Sequence, residues 1–230
     1  MPKSSESGSP SRPAARSAKA ARMTQAERSR LTRQRVCEAT LETLTEVGHE
    51  RISTSMIAQK ARVSRGALTH QFPTRNDLLV AALRHLHDIW GESYPFGADP
   101  ATTHFSPVDL VDALWDNVFS YKHYIASLEL MLAARLDTNL GRGLRNEMKT
   151  WLTRRDHQVA LLMGFEPGSE QETLYLHLTL SLLRGIAVHR TFDPDETMAP
   201  QLVELWKSIV RQVMPASGDQ PPAKCFNQAG

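Results

Sequence analysis

Residues 53–72 constrain the fold of this chain most, because they combine two helix-start signals with almost no linker. Their sequence is STSMIAQKARVSRGALTHQF. Ser53 and Ser64 each precede a short helical segment, and a hydroxyl side chain in that position accepts hydrogen bonds from free N–H groups of the first turn. Only Arg62 and Val63 separate the two segments. That length predicts a tight turn between two short helices.

Apolar spacing indicates that these two helices, over residues 54–61 and 65–71, pack against each other. The positions that share the packed face are Ile57, Ala61, Val63 and Leu68. The outer face of the second helix carries small or polar side chains instead. A helix-turn-helix places such a face in the major groove of DNA. The stretch therefore predicts a DNA-reading unit.

Charge is divided unevenly along the chain in a way that favours this interpretation. Residues 1–75 hold 14 Lys and Arg against 6 Asp and Glu, whereas the remainder holds 13 against 19. A basic segment suits a polyanion, because neutralising phosphates releases condensed counterions. The acidic remainder is expected to have another task.

Helical periodicity continues through the rest of the sequence, with no alternating strand pattern. The first helix is predicted to begin at Thr24, which forms a capping-box pattern with Glu27, and to end before Gly48. Later helices are predicted over residues 75–90, 108–125, 126–135, 144–163, 170–190 and 200–214. Residues 91–107 are rich in Gly, Pro and Asp, which predicts a hinge or a domain boundary there.

One motif resembles a known family. It reads Ile57-Ala58-x-x-Ala61-x-Val63-Ser64-x-Gly66-x-Leu68-x-x-x-Phe72-x-x-Arg75-x-x-Leu78-Leu79. This motif is similar to the DNA-binding domain of TetR-type transcriptional regulators, and the body resembles that family in length and helical pattern. The chain departs from the family's common residues at four positions: Arg62 stands for Gly, Thr69 for Tyr, Gln71 for His and Arg75 for Lys. A non-Gly residue in a left-handed turn carries strain.

The periodicity predicts an all-α fold, and the resemblance implies about nine helices in two domains. Residues 1–22 are expected to be a disordered basic tail, either solvated or touching phosphates, and residues 23–74 the helix-turn-helix DNA-binding domain. Residues 75–214 are expected to form a helical ligand-binding and dimerisation domain, followed by a flexible tail over 215–230. The glycines within residues 141–143 are expected to interrupt the helical pattern.

Nine residues are predicted to contact DNA: Ser53, Thr54, Ser55, Arg65, Gly66, Ala67, Thr69, His70 and Arg75. Arg65 can pair bidentately with guanine, and a phosphate contact is the alternative. Residues 53–55 begin a helix whose free N–H groups favour a phosphate, although capping alone also explains Ser53. His70 has the alternative of a surface histidine without a role. The resemblance implies that Arg75 clamps a phosphate.

The body contains candidate residues for an effector pocket. Each has an aromatic, imidazole or thioether side chain, and they recur at helical spacing. They are Trp115, Phe119, His123, Met131, Trp151, Tyr175 and His177. Such side chains can equally be plain core, since ligand cavities are mainly apolar. The sequence does not identify the effector.

No catalytic motif, phosphate loop or cofactor motif occurs, so the sequence predicts neither an enzyme nor a cofactor. No metal site is predicted, because His85 and His87 lie about 200° apart around a helix. Cys37 and Cys225 are far apart in sequence, which predicts no disulfide and a cytoplasmic location, with thiol sensing as an alternative for these residues. No membrane span or signal peptide is expected.

The sequence thus predicts a DNA-binding transcriptional regulator, specifically a repressor that leaves a palindromic operator when a small molecule binds the C-terminal domain. A homodimer is expected through the helices predicted from Glu170 to Arg190 and from Pro200 to Met214, whose apolar content exceeds the needs of one face. The alternatives are an activator on the same fold and a ligand-independent protein that binds DNA or a partner.

Overall fold

The computed structural model describes residues 24–165, 169–192 and 197–214, and all regular structure within them is helical. The elements are α1 Gln25–Arg51, α2 Thr54–Lys60, α3 Arg65–Gln71, α4 Arg75–Glu92, α5 Pro107–Leu114, a π-helical turn Trp115–Phe119, α6 Tyr124–Ala133, α7 Thr138–Met163, α8 Glu170–His189 and α9 Met198–Val213. The predicted all-α fold is confirmed. The predicted tails, 1–22 and 215–230, lie outside the described residues.

Local capping sets the beginning of α1, and a glycine sets the end of its regular part. Thr24 Oγ1 accepts a hydrogen bond from the Glu27 backbone N–H at 3.2 Å, and the Glu27 carboxylate accepts one from the Thr24 N–H at 2.7 Å. This is the capping box that the sequence predicts. Gly48 leaves helical geometry with φ 75°, a conformation that favours glycine.

The turn between α2 and α3 is left-handed although a non-Gly residue, Arg62, stands there. Ser53 Oγ caps α2 by accepting from the Met56 N–H at 3.3 Å, and Ser64 Oγ caps α3 by accepting from the Ala67 N–H at 3.1 Å. Arg62 between them has φ 54°, the one positive φ at a non-Gly residue among the described residues. An L-residue in this conformation costs about 1–2 kcal/mol, which the packing of the two helices must offset.

Helix α4 joins the N-terminal helices to the body. It packs against α1 on one side and against α7 on the other. The side chains of Leu78, Leu79, Leu83 and Leu86 are all 0 % exposed. Burying each of these side chains stabilises the fold by about 1.5–3 kcal/mol relative to exposure. Separating the N-terminal helices from the body would therefore lose this stabilisation at several leucines.

The body consists of α5 to α9 and the loop that precedes them. Helix α9 packs against α5 and α8, and α6 packs against α1 and α7. The segment predicted as a hinge is packed against the body, since Phe96 and Phe105 are 5 % and 7 % exposed. The Phe96 ring meets the Trp151 ring edge-on at 5.3 Å, and the Phe105 N–H donates to the Leu162 carbonyl at 3.0 Å.

The interruption predicted at residues 141–143 is wrong, because α7 is continuous through these glycines. A Cβ atom on Gly141 would lie 2.4 Å from the Ala134 carbonyl oxygen, and one on Gly143 would lie 2.7 Å from Val80 Cγ2. Both glycines therefore serve close packing rather than chain reversal. The predicted boundary at 125/126 is also misplaced, since α6 begins at Tyr124 after the π-helical turn.

Replacing Gly141 by Ala should destabilise the protein by about 1–3 kcal/mol, because the new methyl group would overlap backbone that cannot rotate away. Gly66→Ala is the matched control: its Cβ would meet only Ser64 Oγ at 4.0 Å. Within a helix this change should stabilise by about 0.5–1 kcal/mol. Urea denaturation at fixed protein concentration measures both. Equal stability changes in the two variants would contradict the packing role of Gly141.

Candidate functional site

Helix α3 presents a polar face to solvent while its other face is buried. Arg65, Gly66, Thr69 and His70 are exposed and Ala67 is half-buried, whereas Leu68 is 3 % exposed and packs inward. Thr69 lies one helical turn after Arg65, so the two side chains stand on the same face. The Thr69 hydroxyl donates to the Arg65 carbonyl at 3.0 Å, which leaves its oxygen lone pairs facing outward.

The start of α2 lies beside the start of α3. An Arg65 Nη2 hydrogen bond to Ser55 Oγ connects them. Thr54 is exposed, and Ser53 and Ser55 are half-buried. The structure thus brings the serine-rich start of α2 and the arginine of α3 together at one surface.

Helix α1 fixes the position of α3 through contacts that the sequence did not reveal. Gln71 Nε2 donates to Ser29 Oγ at 2.8 Å, and Arg33 Nη1 donates to the Gln71 carbonyl at 3.1 Å. The Arg33 guanidinium also lies 4.3 Å from the centre of the Phe72 ring, a cation–π contact. These contacts join residues about forty positions apart, so no local pattern could have identified them.

Arg75 lies at the junction between α1 and the body. It is half-buried, and its Nη2 donates to the His49 carbonyl at 2.7 Å. The His49 N–H in turn donates to Glu129 Oε2 of α6 at 2.8 Å. Burial lowers the pKa of His49, and the Arg75 guanidinium lowers it further. Arg75 therefore links α4 to the end of α1, a contact that the resemblance did not imply.

A narrow cavity lies inside the body, with a volume of about 30 Å³. That volume holds one or two water molecules. Its walls come from α4, the π-helical turn and helices α6, α7 and α8, and their main rings are His87, Trp90, Phe119, Tyr124 and Trp151.

Three of the seven predicted pocket residues, Phe119, Met131 and Trp151, line this cavity. The structure places the other four outside its lining. The Trp115 ring lies under the Arg190 guanidinium at 5.5 Å, and the Tyr175 hydroxyl donates to the Pro107 carbonyl at 2.6 Å. The His177 side chain is 53 % exposed beside an aspartate. His123 is fully buried and faces α1, and burial lowers its pKa.

Two polar atoms in the cavity wall have no hydrogen-bond partner among the described residues: His87 Nε2 and Trp90 Nε1. His87 Nδ1 lies 3.3 Å from a Glu147 carboxylate oxygen. Burial lowers the pKa of His87 to about 4, so the imidazole is neutral at pH 7. A neutral ring that donates Nδ1–H to Glu147 keeps Nε2 as an acceptor, while the Trp90 indole can only donate.

Two arginines stand at the edge of the same cavity. Arg184 Nε donates to the Tyr124 hydroxyl at 3.1 Å, and Arg155 is paired with Asp156 at 2.6 Å. His87 stacks on Trp151 with ring centres 5.0 Å apart. The cavity therefore combines flat aromatic walls with one free acceptor, one free donor and a half-buried guanidinium.

None of the helices among the described residues combines the length and apolar character that a bilayer span requires. The geometry so far defines a helical protein with an exposed helix-turn-helix and a separate cavity-bearing body.

Comparison with known proteins agrees with that class. Residues 36–82 match the family described as bacterial regulatory proteins, tetR family. An uncharacterized HTH-type transcriptional regulator of Mycobacterium tuberculosis is 25 % identical over 190 residues, which cover 81 % of this chain and 96 % of the relative.

Solved structures show the same fold. A TetR-family member from Streptomyces coelicolor A3 superimposes with a TM-score of 0.57 and 23 % identity, over 80 % of this chain and 98 % of that one. The multidrug binding protein EbrR, complexed with ethidium, gives a TM-score of 0.55 and 23 % identity over 80 % and 99 % of the two chains. Residues 36–82 are thus similar to the tetR family of bacterial regulatory proteins, and the described residues share the fold of solved TetR-family structures.

Replacing Arg65 by Ala should weaken binding to the protein's DNA site by about 1–3 kcal/mol, because a bidentate base contact or a phosphate contact is lost. The DNA is a fragment selected from a random pool by the wild-type protein, and gel-shift titration at constant salt gives the affinity. Arg142→Ala on the exposed side of α7 removes the same charge outside the helix-turn-helix and is the control. If Arg65→Ala binds the DNA as tightly as the control does, Arg65 does not contact DNA.

Proposed function

We propose that this regulator is a homodimeric repressor that leaves a palindromic operator when a small molecule occupies the cavity of the body. The observation that carries the proposal is the position of α4. Its first residue, Arg75, contacts the end of α1, while His87 and Trp90 farther along the same helix line the cavity. One rigid element therefore touches both the DNA-binding part and the cavity.

The size of the cavity supports coupling between binding and movement. A volume of about 30 Å³ is smaller than a single aromatic ring requires. An effector must therefore separate α4 from α7 and α8 in order to enter. Because α4 also packs on α1, its displacement moves the helix-turn-helix. A ligand that binds the displaced arrangement more tightly shifts the population away from the DNA-binding one.

The unpartnered atoms indicate what the effector carries. Trp90 Nε1 needs an acceptor and His87 Nε2 needs a donor, and a hydroxyl group supplies both. The aromatic walls favour a planar ring, and the terminal nitrogens of Arg184 favour an anionic substituent. We therefore expect a small hydroxylated aromatic compound, with a carboxylate increasing affinity. The structural relative EbrR, complexed with ethidium, supports small-molecule binding in this fold.

The outer faces of α8 and α9 support the homodimer. Both helices carry large apolar side chains that the single chain leaves exposed, at helical spacing. On α8 these are Leu174, Leu178 and Val188, and on α9 they are Leu205, Ile209 and Val213. Leu182, Ile186 and Leu202 form an apolar groove between the two stripes. A second copy of the chain, related by a two-fold axis, would bury this apolar face against its own identical face.

Charge at the center of this surface should break the dimer. Leu205→Glu places a carboxylate on a side chain that is 57 % exposed in the monomer and buried in the proposed dimer. Sedimentation velocity at micromolar concentration should show a dimer for the wild type and a monomer for the variant. Leu161→Glu on α7, at a position 46 % exposed, is the control and should stay dimeric. A wild-type monomer would contradict the proposal.

Release of DNA by a cavity ligand tests the function itself. Hydroxylated aromatic compounds are screened by thermal shift, and those that raise Tm are added to the protein–DNA complex. We expect dissociation, together with an affinity loss of about tenfold for the compound in Trp90→Phe, which keeps the ring and removes the donor. Tyr94→Phe, outside the cavity and 50 % exposed, should bind as the wild type does.

Two results would contradict this mechanism. In one, compounds bind but leave the protein on its DNA. In the other, the two variants lose affinity equally. A reporter gene placed behind the selected DNA site then separates repressor from activator, because deletion of the regulator should raise expression in the first case and lower it in the second.

A further inference from the structure

A cluster of two carboxylates and one histidine lies where α1 meets the beginning of α6, outside the effector cavity. Glu38 and Glu42 are four residues apart and project from one face of α1. His123 precedes the first residue of α6. One ligand atom from each of the three side chains lies within 4.8 Å of the other two. The Glu38 Oε1 and His123 Nδ1 atoms are 4.0 Å apart.

The imidazole of His123 has no hydrogen-bond partner for either ring nitrogen among the described residues, although the residue is 0 % exposed. Buried polar groups are nearly always hydrogen-bonded or bound to a metal, because leaving them unpaired costs free energy. Its nearest carboxylate is too distant for a hydrogen bond. Something that accepts electron pairs from both the imidazole and the carboxylate would satisfy this side chain.

We propose that Glu38, Glu42 and His123 bind a divalent first-row transition-metal cation that ties α1 to the beginning of α6. Two ligands of one such cation lie about 3–3.5 Å apart, since metal–nitrogen and metal–oxygen bonds are about 2.0–2.2 Å long. The glutamate side chains must rotate to bring the ligand atoms from within 4.8 Å of one another to that separation. Water completes the coordination, because three protein ligands leave at least one position open.

The surroundings fit a metal site. His85 Nε2 lies 3.2 Å from Glu38 Oε2, so it holds the oxygen that does not face His123 and orients the other one. The Lys60 and Lys122 nitrogens lie 3.9 Å and 3.7 Å from Glu42, beyond hydrogen-bond distance. The carboxylate of Glu42 therefore keeps lone pairs for a cation.

The donor set selects among cations. Imidazole with carboxylates suits Zn²⁺, Mn²⁺, Fe²⁺ or Co²⁺, and lacks the thiolate or thioether that Cu⁺ prefers. Mg²⁺ and Ca²⁺ prefer oxygen ligands alone. Both glutamate side chains are 38 % exposed, which gives the ion a path from solvent to the buried histidine.

The test is calorimetric titration of the EDTA-dialysed full-length protein with ZnCl₂. We expect one Zn²⁺ per chain at this site, with an affinity that falls at least tenfold in Glu38→Gln and in Glu42→Gln. Glu46→Gln is the control, since Glu46 follows on the next turn of α1, pairs with Lys60 and is outside the cluster. Zn²⁺ should raise Tm in the wild type and in the control, but less in the two cluster variants.

Substitution with Co²⁺ adds a spectroscopic readout. The visible absorption of bound Co²⁺ reports its ligands, so it should change in His123→Gln, provided that circular dichroism shows the variant to be folded. The glutamate variants decide the question if it is not. Absence of saturable 1:1 binding, or Zn²⁺ affinity unchanged in both cluster variants, would overturn the proposal. The cation would then be bound elsewhere or not at all.

Discussion

The burial of α4 between α1 and α7 is the interaction on which the rest of the structure depends. Four of its leucines are fully excluded from solvent, so the helix cannot leave α1 without exposing apolar surface. Exposing apolar surface costs about 25 cal/mol per Å². The free-energy cost of exposing these leucines is therefore larger than the stabilisation that one surface hydrogen bond or ion pair supplies. The helix-turn-helix therefore moves with α4 rather than independently of it.

Polar contacts supplement this packing at two places along α1. At its end, His49 connects Arg75 of α4 with Glu129 of α6. In its middle, Glu38 pairs with His85 of α4 and faces His123 at the beginning of α6. Both groups of contacts join α1, α4 and α6. A change in the spacing of α4 and α6 would thus reach α1 through directed contacts as well as through apolar packing.

Sequence patterns correctly predicted those features of the fold that depend on residues close together in the chain. The capping residues Thr24, Ser53 and Ser64 and the glycine at 48 act on neighbouring backbone, so spacing alone identifies them. The all-α class followed from periodicity, and the resemblance to the TetR family followed from one motif. Glycines were misread when their role lay in tertiary contact, as Gly141 shows.

The sites depend on residues that only the folded chain brings together. The cavity combines helices from residue 87 to residue 184, and helical spacing could not tell Trp151, which lines it, from Tyr175, which does not. Similarly, His123 has no ligand-type neighbour at helical spacing, and its carboxylates come from α1, about eighty positions earlier. The nine predicted DNA contacts stay predictions, although most of those that lie on α3 are exposed to solvent.

The most direct test of the proposed allosteric movement is the distance between the two helix-turn-helix units of the proposed dimer, measured by pulsed electron paramagnetic resonance. A nitroxide at Gln59→Cys, exposed on α2, reports that distance when Cys225 is replaced by Ser, because Cys37 is 3 % exposed and resists labelling. We expect a DNA-releasing cavity ligand to shift the distance distribution. An unchanged distribution in protein that the ligand has released from DNA would contradict it.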